Sequence, residues 1–170
     1  MRNSMIASAI AMVMVAGSAM ASQGDVQFFG NVTAATCDVS PKVDGGVTDM
    51  VQLGTVSINN AGKEIPLVFK ATNAQGGDCQ ALNDKIATVT WAGPLTDKGI
   101  ANQNGVANDA YVILTSTNAK VDQAITKDDN SVDFDATKVI GDGLAFKAQL
   151  KGGATAGDFQ SAAAYAITYQ

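Results

Sequence analysis

The chain has 170 residues, with 11 Lys and Arg against 16 Asp and Glu, and no His. A net charge of −5 excludes the basic patch that nucleic acid requires and disfavours adsorption to anionic lipid. Without His, the usual Ser–His and Cys–His arrangements of nucleophilic catalysis are absent, and no metal or cofactor site is expected.

Residues 1–21 read as a secretory signal. Arg2 supplies the positive start, residues 6–15 are a short apolar run, and Ala19-Met20-Ala21 is a small-x-small cleavage site. A membrane anchor is the alternative, but the run is short for one. Arg2 is the only Arg, so a mature chain from Ser22 carries ten lysines against sixteen acidic residues, a net charge of −6. About 150 residues remain, enough for one domain with a sizeable core. The two cysteines, Cys37 and Cys79, most simply form a disulfide in an exported chain, the alternative being two buried thiols.

The stretch 24–37 (GDVQFFGNVTAATC) follows the leader. Val26, Phe28, Gly30 and Val32 recur at every second position and share one face of an extended strand. Alternation alone allows two homes for it: an edge of its own domain, or the sheet of another copy. The extended pattern runs on to Val39, and residues 41–46 (PKVDGG) read as a turn-rich break. Met50, Val51, Leu53, Val56 and Ile58 suggest a short strand interrupted by Gly54, with a turn over 59–63.

Residues 65–71 (IPLVFKA) are β-rich, with Pro66 near the start where a missing N–H is tolerated. Residues 86–91 (IATVTW) place Ala87, Val89 and Trp91, the only Trp, on one face, with Trp91 expected in the core. Residues 92–108 read as a long loop and 110–117 as a strand. Weaker strands are expected at 121–125 and 131–134, around a polar loop, and a clear one at 144–150. A flexible connection over 152–158 leads to the last strand, 162–169, with Tyr165, Ile167 and Tyr169 on one face. Asp128/Asp129 and Asp133/Asp135 sit in polar surroundings and read as solvated carboxylates; they lack the ligand order of a calcium loop. Eight or nine short strands without a sustained helical period define an all-β sandwich of immunoglobulin-like type, with at most a single helical turn in a loop.

Four features together resemble the subunits (pilins) of chaperone–usher fimbriae, most of all the major subunits. They are the N-terminal alternating segment with its central Gly30, the Cys37/Cys79 spacing, the C-terminal alternating strand with penultimate Tyr169, and Gly157 at the fourteenth position from the C-terminus. The loop GGDCQALNDKIATVTWAG is also similar to the matching region of major subunits. The resemblance implies an incomplete immunoglobulin-like sandwich over residues 33–170, completed by a donor strand, residues 22–32, from a neighbouring subunit. The donor face would be Val26, Phe28, Gly30 and Val32. Gly157, Tyr165, Ile167, Tyr169 and Gln170 would form the groove and the chaperone contact. Implied partners are further copies, other fimbrial subunits, a periplasmic chaperone and an outer-membrane usher, on a route through the periplasm to the cell surface. The implied role is structural and not enzymatic; the alternative is a shaft subunit that itself binds host glycans.

Overall fold

The computed structural model describes residues 37–170. The leader 1–21 and the segment carrying Val26, Phe28, Gly30 and Val32 lie outside the described residues.

The described strands are β1 (Val39–Val43), β2 (Gly46–Val47), β3 (Ala61–Ala71), β4 (Ile86–Ala92), β5 (Ile100–Ala101), β6 (Tyr111–Ser116), β7 (Ser131–Asp135), β8 (Leu144–Lys151) and β9 (Ala164–Tyr169). One antiparallel sheet runs β2-β1-β3-β8-β6-β5, and the other runs β7-β4-β9. The period-2 alternation predicts this architecture directly. Leu67 and Phe69 on β3, Val112 and Leu114 on β6, and Leu144, Phe146 and Ala148 on β8 are buried from one side. Ala87, Val89 and Trp91 on β4, with Val132 and Phe134 on β7, are buried from the other. Aromatic rings meet at the centre: Phe69 to Phe146 at 6.0 Å, Phe134 to Phe146 at 5.4 Å and Trp91 to Phe146 at 5.6 Å between centroids.

Several expectations need correction. The break over 41–46 begins later. Pro41, Lys42 and Val43 remain in β1, opposite Phe69, Val68 and Leu67. The turn is the two-residue Asp44-Gly45, with φ of 49° and 84°, the doubly positive geometry whose twist suits a tight hairpin. Residues 50–58 form no strand. Gly54 turns the chain at φ 71°, and Val51, Leu53 and Val56 cover the core as irregular backbone. Their apolar spacing came from covering the core, which needs no ladder.

The turn expected at 59–63 is confined to the stretch around Asn59 (φ 57°), and β3 starts at Ala61. The loop 92–108 contains β5. Residues 121–125 make only a bridge, Thr115 to Ala124, although Ile125 is fully buried. The helical turn is α1 (Gly77–Gln80), which carries Cys79. A 3-10 helix at Ala136–Ile140, burying Ala136 and Val139, was not anticipated.

Cys37 and Cys79 are disulfide-bonded, with Cα atoms 4.7 Å apart, and the bond ties the entry of β1 to α1. Among the described residues no helix is long and apolar enough to cross a membrane.

Candidate functional site: the cleft beside the C-terminal strand

β9 lies at the edge of its sheet. Residues from Ala164 to Tyr169 pair with β4, from Ala92 to Ala87, and the pairing continues as Gln170 and Ile86 exchange two backbone hydrogen bonds of 2.9 Å. Among the described residues the other edge of β9 has no strand partner. An edge of this kind is a template for a further strand.

Beside it the sandwich is open. A cleft of about 430 Å³ has a floor of Leu67, Phe69, Val112, Leu114 and Ala148, inward residues of the large sheet, with Trp91 from the small one. One wall is Asp49, Met50, Val51 and Leu53; the other is Phe159, Ser161, Ala162, Ala163 and Tyr165. A second cleft of about 670 Å³ shares Val51, Leu53 and Phe159 with the first, and continues between residues 51–58 and 152–159. The surface that a closed sandwich would seal between its sheets is therefore reachable along one side.

The predicted groove residues separate along this path. Gly157 lines the second cleft, and Tyr165 lines the first, its ring 4.5 Å from that of Phe69. Burial, and secondarily the Asp49 charge, raises the Tyr165 phenol above its ordinary pKa. Ile167 is half-buried against the core. Tyr169 is buried, and its hydroxyl donates to the Cys37 carbonyl at 3.0 Å. Gln170 is exposed and extends the pairing of β9.

Gly157 is needed where it stands. Its φ is 154°, and a Cβ there would lie 2.8 Å from the Val106 Cβ and 2.9 Å from the Ala107 nitrogen. The segment around it is fastened by polar groups that the sequence did not single out. Asn102 donates to the carbonyls of Ala107 (2.8 Å) and Asp158 (3.3 Å) and accepts from the N–H groups of Gly105 and Gln160, both at 3.0 Å. The Asp109 carboxylate accepts from the N–H groups of Ala154 (2.7 Å) and Thr155 (3.2 Å). The bond from Ala154 is the main cause of a pKa below the ordinary carboxylate value. Neither residue has a sequence signal: an Asn in an Asn-rich loop and an Asp before a strand are commonplace. Trp91 was expected in the core and also lines the cleft. Among the described residues no group of three or more His, Cys, Asp or Glu is placed to hold a metal.

The fold and cleft define a class: an immunoglobulin-like sandwich left open along its C-terminal strand. The chain is 52% identical to the F107 fimbrial protein of Escherichia coli over the full length of both. It is 29% identical to the K99 fimbrial protein of Escherichia coli, over 89% of this chain and 90% of that protein. To the major MR/P fimbria protein of Proteus mirabilis (strain HI4320) it is 28% identical, over 92% and 91%. Among solved structures, the P pilus rod subunit PapA aligns with a TM-score of 0.49 at 20% identity, covering 87% of this chain and all of that one. No protein-family model matches the chain. The chain belongs to the family of fimbrial subunits and is a structural subunit of a pilus.

Proposed function

We propose that this fimbrial subunit polymerises by donor-strand exchange, with residues 22–32 of one copy lying beside β9 in the next. The observation that carries the reading is the apolar cleft beside β9, a strand at the end of its sheet order among the described residues. A donated strand supplies partners for the backbone of β9, and its apolar face covers the cleft floor. Val26, Phe28 and Val32 would each contribute about 1.5–3 kcal/mol of gross burial, so about 5–9 kcal/mol together. Gly30 would sit where the groove narrows. The contact is head to tail and does not close on itself, so repetition gives a filament at the cell surface.

Before assembly the same groove needs a temporary occupant, because an open apolar cleft invites aggregation. A periplasmic chaperone fills that role in this reading, anchored at the Gln170 carboxylate and along Tyr165, Ile167 and Tyr169. An outer-membrane usher then passes subunits to the surface. Deleting residues 22–32 is expected to leave a folded, chaperone-bound subunit that forms no fibres. Long fibres from the deleted protein, seen by electron microscopy, would overturn the reading.

A further inference from the structure

The chain carries ten lysines (11 Lys and Arg, less Arg2) and a net charge of −5, and the two sheets divide this charge unequally. The strands of the large sheet hold five of the lysines, Lys42, Lys63, Lys70, Lys147 and Lys151, against one acid, Glu64. The strands of the small sheet hold no lysine and two acids, Asp133 and Asp135. Strand alternation sets where these side chains stand. Phe69, Phe146 and Leu150 fill the core, so Lys70, Lys147 and Lys151, one position on, lie on the outer face; Lys42 joins them, in register with the outward Val68. Lys98 lies over the ring of Tyr111 on the same face, 5.9 Å from its centroid. Lys147 pairs with Glu64 at 2.8 Å, but among the described residues Lys42, Lys70 and Lys151 form no ion pair. On the small sheet Asp133 and Asp135 alternate with the buried Val132 and Phe134 and so face outward. Lys120 pairs with Asp135 at 3.0 Å. Asp133 accepts from the Thr88 hydroxyl at 2.6 Å and, among the described residues, has no cation. Its surroundings are short: Thr88, Thr90 and Ala92 on β4, and Ala164, Ala166 and Thr168 on β9. A flat face of this kind leaves its carboxylates within reach of long lysine side chains from outside.

We propose that the lysine-bearing outer face of the large sheet docks on the aspartate-bearing outer face of the small sheet of a second copy, as a lateral contact in the assembled pilus. The contact stands whatever joins successive subunits, because neither face takes part in the cleft. The outer faces of a two-sheet sandwich lie on opposite sides of the subunit, so the contact is heterologous and can repeat from copy to copy. Like net charge opposes association of these acidic subunits. Gathering lysines on one face gives the acidic excess of a neighbour a place to be answered and sets which face it meets. Each exposed pair is weak and is screened beyond about 8–10 Å in ordinary salt, so the contact gains its strength by repetition and is lost at high ionic strength.

Assembled wild-type fibres are treated at low salt with a carbodiimide, which joins a lysine to a carboxylate in direct contact, and the linked peptides are read by mass spectrometry. The Lys147–Glu64 pair within each subunit is the internal control. Links from Lys42, Lys70 or Lys151 to Asp133 or Asp135 are expected, and they should fall at least about 5-fold in about 0.5 M salt while the control link falls less. Control links without face-to-face links overturn the inference. Lys42→Glu combined with Lys151→Glu should give fibres with the face-to-face links depleted. Adding Asp133→Lys and Asp135→Lys should restore links with the charges exchanged, and well-formed fibres in which they stay absent contradict the inference. If the variants do not assemble, the wild-type links still decide. Wild-type fibres that lack the links but are retained on immobilised heparin would assign the lysine face to an anionic polysaccharide, and this too overturns the contact between copies.

Discussion

Tyr169 joins the last strand to the disulfide. Burial first, and the Asp38 charge second, push its phenol up to about 12. The folded chain therefore keeps a proton that the unfolded chain releases near its ordinary pKa of about 10. This contribution is full below about pH 10 and is lost as pH rises toward about 12, because the unfolded state then binds fewer protons. Urea unfolding of wild type and Tyr169→Phe, followed from neutral to alkaline pH, should converge through that window; parallel curves would contradict it. At neutral pH the substitution should cost about 1 kcal/mol, for the lost bond to the Cys37 carbonyl. Gly157→Ala meets both a positive φ and the Val106–Ala107 contact, so it should destabilise by roughly 1–3 kcal/mol in the same measurement.

At the scale of elements, the segment preceding β9 is held by loop hydrogen bonds, with Asp109 and Asn102 among the side chains that make them. Asp109→Ala should raise hydrogen exchange at the Ala154 and Thr155 amides while the amides of β3 and β8 stay protected. Because the Asp109 carboxylate is held below its ordinary range, its clamp is complete above about pH 4. The clamp weakens as pH falls through the lowered value, so the protection of these two amides in wild type, relative to the variant at the same pH, should diminish in acid. The elements also divide by how readable they were. β3, β4, β6 and β8 announced themselves because each buries one face, which writes a period of two into the sequence. Residues 50–58 and 121–125 misled for a related reason. Their apolar side chains serve the same core from irregular backbone, and hydrophobic spacing does not report whether a ladder partner is present. The 3-10 helix left only Ala136 and Val139, one turn apart, as a trace. Tyr165 and Gly157, named through resemblance, line the two clefts. Asn102 and Asp109 were not legible, because their role depends on loops brought together across more than 40 residues of chain.

For the whole molecule, the disulfide and the cleft beside β9 are the two features that bear on stability and on the proposed assembly. The disulfide joins residues 42 apart, Cys37 at the entry of β1 and Cys79 in α1. Replacing both cysteines by Ala should cost roughly 2–5 kcal/mol in equilibrium unfolding. In the proposed function, β9 receives residues 22–32 of another copy beside it. The central claim is that this exchange occurs between copies, and isotope mixing tests it most directly. Fibres are grown from equal pools of 14N and 15N subunits, then cross-linked and digested. Links joining residues 26–32 to β9 are then read by mass spectrometry. Donation predicts that about half of those links pair one light and one heavy peptide, as random neighbours would. Links formed only within a single isotope would place the segment in its own subunit and contradict the account.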